Sequence, residues 1–209
     1  NRTFNKILYL FGFLKNRWCL AIVNEKFKIK KIIIPPKNFF WADPFFIKFK
    51  NKKYVFFESY SYLSKKGEIA CGELINNKIV NFKVIMKKSY HLSYPFVFKY
   101  KDDIFLMPET YQKKNIKIYK FIKFPFKWKL YSSALKNLPT VDPTIIKIKK
   151  NFWLFANHMK ENISEFNKNL YLYKLDNLKF KNLNPHFKNP IISNLNGGRS
   201  AGSIFKIGK

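Results

Sequence analysis

Four stretches of this chain can be superposed on one another, and that repetition limits the fold more than any other feature. The first reads Trp41-Ala-Asp-Pro-Phe-Phe-Ile-Lys-Phe, then a polar Lys50-Asn-Lys-Lys, then Tyr54-Val-Phe-Phe-Glu-Ser-Tyr. The second reads Leu92-Ser-Tyr-Pro-Phe-Val-Phe-Lys-Tyr, then Lys101-Asp-Asp, then Ile104-Phe-Leu-Met-Pro-Glu-Thr-Tyr. The third is Thr140-Val-Asp-Pro-Thr-Ile-Ile-Lys-Ile, Lys149-Lys-Asn, and Phe152-Trp-Leu-Phe-Ala-Asn-His; the fourth is Arg199-Ser-Ala-Gly-Ser-Ile-Phe-Lys-Ile. Pro44, Pro95, Pro143 and Gly202 anchor the copies, 51, 48 and 59 positions apart. Glu58, Glu109 and Asn157 each follow their proline by fourteen positions.

Each unit reads as an antiparallel hairpin, because a β-branched and aromatic run meets a short polar turn and a second such run. A third strand follows in each, over Glu68 to Leu74, Asn115 to Phe121 and Asn169 to Leu175, and a fourth is expected over Lys78 to Met86. Units of about 50 residues with three or four strands are the mark of a β-propeller. The expectation is therefore an all-β, five-bladed propeller occupying 1–209 as one incomplete domain. Its repeat units are 39–90, 91–138, 139–197 and 198–209, the last breaking off after one strand. Residues 1–38 complete the closing blade through strands at Trp18 to Val23 and Phe27 to Ile34. A single β-sandwich explains the strands but not the period, and no long amphipathic helix is present.

The net charge of +29 and pI near 10 suggest polyanions at first sight. Yet 38 of the 41 basic residues are Lys, and Lys, Phe, Ile and Asn together make up half the chain. All four have AT-rich codons, so base composition accounts for much of the excess. Nucleic-acid grooves favour the bidentate fork of Arg, and the lysines are dispersed, so nucleic acid is not an expected partner. No apolar run reaches the ~18 residues of a membrane span, and the Ile7 to Leu14 stretch lacks a signal-cleavage site. Cys19 and Cys71 fit packing residues in a reducing compartment, which points to the cytoplasm. No CxxC, HxxxH or HExxH spacing supports a metal. Neither a phosphate loop at Gly197-Gly198 nor a Gly-x-Ser-x-Gly elbow is present, so no cofactor is expected.

In a propeller the first strand of each blade lines the channel, so Asp43 and Asp142 are expected to begin channel-lining strands. The hairpin return then brings Glu58 beside the Asp43 region, one strand spacing of ~4.8 Å away. The same reasoning sets Glu109 near Tyr94, and Asn157 and His158 near Asp142. The chain has only 12 acidic residues, yet four of them occupy six equivalent positions at one end of the ring. Blander readings stand beside this one. Asp-Pro can cap a turn, Glu58 and Glu109 can pair with Lys or Arg199, and His91 and His158 can satisfy core hydrogen bonds.

The motifs Trp-Ala-Asp-Pro-Phe (41–45), His-Leu-Ser-Tyr-Pro-Phe (91–96), Met-Pro-Glu (107–109) and Asp-Pro-Thr (142–144) occur together here. So do Asn-Leu-Tyr-Leu-Tyr (169–173), Pro-His-Phe-Lys-Asn-Pro (185–190) and Gly-Arg-Ser-Ala-Gly (198–202). As a set they resemble the N-terminal propeller-like domain of glucosamine inositolphosphorylceramide transferase and its bacterial relatives, over roughly residues 18 to 209. More distantly, the Asp-Pro strands are similar to the five-bladed glycoside hydrolases of the arabinanase, levansucrase and invertase group. The resemblance implies carbohydrate chemistry run by three acidic residues at the channel mouth. For the transferase it implies that glycosyl transfer belongs to a separate C-terminal domain, fused or free, outside this chain.

Two uses of such a mouth follow. In hydrolysis one protonated and one ionised carboxyl flank the bond, with like charges raising one pKa. Asp43 is then the base or nucleophile, Asp142 a transition-state stabiliser and Glu109 the acid. Against this, the hydrolases' acid glutamate follows their middle aspartate whereas Glu109 precedes Asp142, and Tyr94 stands where an aspartate would. In recognition, the carboxylates, Asn157 and Arg199 bind sugar hydroxyls, with Trp41 and Tyr94 as flat apolar faces and Glu58, His91 and His158 nearby. The leading expectation is a carbohydrate-handling domain of glycan or glycolipid biosynthesis. A glycoside hydrolase is the alternative and a protein-interaction propeller the third.

Overall fold

The computed structural model describes residues 18–158, 165–194 and 197–204. Its regular structure is almost entirely antiparallel β. A two-stranded hairpin, β1 (Leu20–Val23) and β2 (Ile29–Ile33), precedes the first large sheet, β3 (Phe39–Phe49), β4 (Lys52–Ser61), β5 (Lys66–Ile75) and β6 (Lys78–Met86). The second sheet is β7 (Ser93–Tyr100), β8 (Asp103–Glu109), β9 (Ile116–Lys123) and β10 (Lys127–Ala134). In the third, β11 (Thr140–Ile148), β12 (Asn151–His158) and β13 (Asn169–Leu175) are followed by β14 (Leu183–Pro185), and β15 (Ile192–Ser193) pairs with the other end of β13. Strand order equals chain order within the first two sheets, and the sheets succeed one another instead of facing as a pair, which sets the β-sandwich aside. The arrangement is propeller-like. Among the described residues no sheet closes on itself.

Turn chemistry fixes the inner hairpins. Phe49 pairs with Lys52, Tyr100 with Asp103 and Ile148 with Asn151, so each inner turn has two residues. Lys50 and Asn51 both have positive φ, at 45° and 60°, as do Asn76 and Asn77 at 47° and 59° in the β5–β6 turn. That is the twist-matched hairpin geometry that asparagine tolerates.

Burial declines from the inner strands outwards. β7 packs between β3 and β11, and one core joins Phe45 and Phe56 of the first sheet, Phe96, Leu106 and Ile118 of the second, and Ile145 and Leu154 of the third. A second cluster, Leu20, Trp41, Val55, Phe57 and Ala70, joins the β1–β2 hairpin to the opposite face of the first sheet. With both faces covered, β4 is buried continuously from Val55 to Ser59 and β8 from Ile104 to Glu109. Such runs do not alternate, and they carry Glu58 and Glu109 into the interior. The edge strands β6 and β10 each have a single buried residue. Phe124, in the β9–β10 loop, reaches back to the first sheet, with its ring 4.5 Å from Phe49 and 4.9 Å from Tyr54.

Phe56 is fully buried and contributes to this inter-sheet core, so Phe56→Ala should cost about 3–5 kcal/mol. Urea unfolding followed by tryptophan fluorescence is the direct measurement. A loss below about 1 kcal/mol would mean that the sheets do not pack across this residue.

Candidate functional site

The residues of interest are positioned by one local irregularity repeated three times. The inner hairpin slips register between Ala42 and Phe45, between Ser93 and Phe96, and between Val141 and Thr144. At each slip the residue before the proline is left-handed, with φ of 50° at Asp43, 43° at Tyr94 and 49° at Asp142. A proline has no N–H for the ladder, and a bulge leaves it without one to make. The left-handed conformation costs a non-glycine residue about 1–3 kcal/mol and turns its side chain out of the regular alternation. Asp43 and Asp142 therefore do not begin strands, as the sequence suggests; they sit at bulges inside β3 and β11.

The fourteen-residue offset also becomes geometry. Glu58 lies opposite Ala42, Glu109 opposite Ser93 and Asn157 opposite Val141, each beside the bulge of its own hairpin. The carboxylates do more than sit there. Asp43 Oδ2 accepts the backbone N–H of Tyr94 at 3.2 Å, and Glu109 Oε2 accepts that of Asp142 at 3.1 Å. Each acid thus bonds to the bulge of the next sheet rather than capping a turn of its own. Asp142 in turn takes Arg199 Nε, and Arg199 Nη1 donates to Asn167 Oδ1 at 3.1 Å. Arg199 therefore pairs with Asp142, not with the glutamates.

Asp43, Glu58, Tyr94, Asp142 and Arg199 open on one cavity of about 590 Å³, whose wall also includes Trp18, Cys19, Phe40 and Ser200 to Gly202. Tyr94 is held by its hydroxyl, 2.8 Å from Thr144 Oγ1, while the Gly202 N–H donates to it at 3.1 Å. Burial pushes the Tyr94 phenol up to about 12. His91 stands behind Glu58. Its Nδ1 accepts the Gly67 N–H at 3.0 Å, so the neutral ring carries its proton on Nε2, which is 3.4 Å from Glu58 Oε1. That separation is an electrostatic contact, and Oε1 makes no hydrogen bond. A Cβ at Gly67 would collide with the Leu92 carbonyl, Glu58 and the His91 ring, so glycine permits this approach.

Other candidates lie elsewhere. Glu109 is buried behind Asp142 and does not reach the cavity wall. Trp41 is packed against Phe57 and Phe82, with ring centroids at 4.7 and 4.9 Å, so its faces are covered. Asn157 ties the third sheet to the last segment through Asn169 O at 2.7 Å and Gly198 O, and its Oδ1 is unpaired. His158 is buried between Thr140 Oγ1 at 3.0 Å and the Tyr173 hydroxyl at 2.8 Å, a core role. Cys71 is buried as a packing residue requires, whereas Cys19 is exposed. Thr144 was not among the candidates, although it is the one residue after an anchoring proline that is not Phe. Among the described residues no group of three or more His, Cys, Asp or Glu side chains is arranged to hold a metal, and no helix is long and apolar enough to cross a membrane.

Crowding raises the acids. Burial, then the charges of Asp43 and Glu109, push Glu58 from 4.5 up to about 8. Burial and Asp142 raise both Asp43 and Glu109. An acid with a raised folded-state pKa keeps a proton that the unfolded chain has already lost, so stability falls as pH rises through that window. For Glu58 the window runs from about 4.5 to about 8. Urea midpoints measured from pH 5 to 8 should decline, and Glu58→Gln should flatten the slope. An unchanged slope in that variant would show that Glu58 is not the titrating group.

Similarity to known proteins bears on the fold and the family. Solved structures with related folds include a thermostable family-43 glycoside hydrolase, 13% identical over 73% of this chain and 56% of its own, with a TM-score of 0.54. Another is Zg3597, a family 117 glycoside hydrolase from Zobellia galactanivorans, 11% identical over 86% and 62%, with a TM-score of 0.57. At those identities the likeness concerns the fold. Glucosamine inositolphosphorylceramide transferase 1 of Arabidopsis thaliana is 31% identical over 185 residues, 83% of this chain and 24% of that protein. The Oryza sativa subsp. indica protein of the same name is 30% identical over 174 residues, 81% and 23%. The chain spans about a quarter of the length of these curated relatives. Residues 28–208 match the family described as "Glucosamine inositolphosphorylceramide transferase 1, N-terminal", and the chain belongs to that family.

Proposed function

We propose that this domain binds a saccharide in the cavity beneath the bulges and serves, beside a transferase domain, in glycolipid assembly. Family membership supports the glycolipid association. The observation that carries the binding role is the cavity itself: about 590 Å³, with Asp43, Glu58 and Asp142 set against Phe40, Tyr94 and Trp18. Its volume falls within the ~300–1,000 Å³ of small-ligand sites, and polar groups converging beside aromatic faces are what sugar recognition needs. Supporting binding over hydrolysis, Glu109 is withdrawn from the cavity and Asp142 is neutralised by Arg199. A five-bladed ring in which residues 18–38 join the closing blade is the matching architecture, and the rest of the 1–38 segment lies outside the described residues. The Trp18 carbonyl accepting the Trp41 N–H at 3.2 Å supports that placement.

Hydrolysis is the second reading. Asp43 and Glu58 share the cavity, and both are held towards the protonated state, as an acid catalyst requires.

A glycan array followed by calorimetry of any hit separates these readings. Binding predicts saturable affinity that falls at least tenfold, about 1.4 kcal/mol, in Asp43→Asn and in Asp142→Asn, without release of reducing sugar. An array with no signal would refute the binding role. Sugar release abolished by Glu58→Gln would establish hydrolysis instead.

A further inference from the structure

The ionisable groups lining the cavity are out of balance, three acids to one base among the described residues, and this limits what can enter it. Three of the chain's 12 carboxylic acids line it, and none of its lysines does so among the described residues. Several of the donors in this region are already engaged. The Tyr94 N–H goes to Asp43, the Asp142 N–H to Glu109, and the Gly202 N–H to the Tyr94 hydroxyl. Arg199 gives Nε to Asp142 and Nη1 to Asn167, and His91 Nε2 is directed at Glu58. Acceptors are in surplus. Glu58 is only 5% exposed and its Oε1 has no hydrogen bond, while the carboxylate of Asp43 holds a single backbone N–H.

We infer that the ligand of this cavity is an uncharged, hydroxyl-rich saccharide moiety bearing no phosphate or sulfate, held by donating its own hydroxyl protons to Asp43 and Glu58. This rests on the saccharide-binding reading above and narrows it. A phosphoryl group carries up to two negative charges and is held by cations and N–H donors. Here it would meet the carboxyl groups of Asp43, Glu58 and Asp142, and the one cation lining the cavity among the described residues is held by Asp142. Nucleotide sugars and sugar phosphates are therefore excluded from the cavity, although the lysine-rich exterior attracts them.

Competition calorimetry at 150 mM salt tests this, because displacement of a neutral probe reports on the cavity and not on surface lysines. The probe is the methyl hexoside that binds most tightly, and the competitors are its sulfate esters made in turn at each hydroxyl, together with its 6-phosphate. Each ester should displace the probe at least tenfold less well than the unmodified sugar. Glu58→Gln replaces an ionisable acid by a neutral amide and should narrow that gap for at least one ester. If every ester competes as well as the parent, the exclusion is overturned while saccharide binding stands. If no neutral hexoside binds, the saccharide-binding reading falls, and the inference with it.

Discussion

The seams between sheets depend on a carboxylate accepting the amide of a bulge across the gap. Asp43 bonds the Tyr94 N–H, Glu109 the Asp142 N–H, and Asp142 the guanidinium of Arg199. At a bulge the amide has left the ladder, so it needs another partner, and a carboxyl oxygen can supply one. The neighbouring sheet supplies that acceptor. Bulge and acid thus complete one another, and the acids cluster because the bulges do. The apolar core of Phe45, Phe56, Phe96 and Leu106 supplies the driving force for packing, but it is not directional; the seams set which sheet meets which and at what height.

This construction explains why acids with different surroundings share one small region. Glu109 serves its seam and is sealed behind it. Asp43 serves a seam and also opens on the cavity, while Glu58 serves none and is left with a bare oxygen. Structural and functional demands are divided among equivalent positions of a repeat. Tyr94 shows the same division, since an aspartate there would add a further buried charge. The phenol instead fixes Thr144 and the Gly202 backbone without one.

Much of this was legible in the sequence because repetition keeps register. The hairpins, the third strands, the Lys78–Met86 edge strand and the pairing of Glu58, Glu109 and Asn157 beside their bulges all follow from counting along β-strands. The bulges were not legible. A residue before proline favours extended backbone, and nothing local announces a left-handed Asp43. That omission misplaced Trp41. Two positions before Asp43, it belongs on the same face of a regular strand, but the bulge swings Asp43 away and leaves Trp41 on the Phe57 side. Arg199 and Asp142 are 57 positions apart, a pairing that local pattern does not disclose. The +29 charge proved uninformative about the cavity, because the described lysines lie outside it.

The two-residue inner turns have a reach that their position hides. Because the bulge fixes one strand and the turn fixes the return, the turn's length decides which residue comes to lie beside Asp43. Lys50 is seven residues from Asp43, about 23 Å along an extended strand at ~3.3 Å per residue. If an added residue were taken up as a register slip, with the turn kept at two residues, Phe57 would come to the place of Glu58, exchanging an acid for a phenyl ring and reversing the faces of β4. A turn open to solvent and far from the cavity therefore shares in deciding which side chain stands beside Asp43.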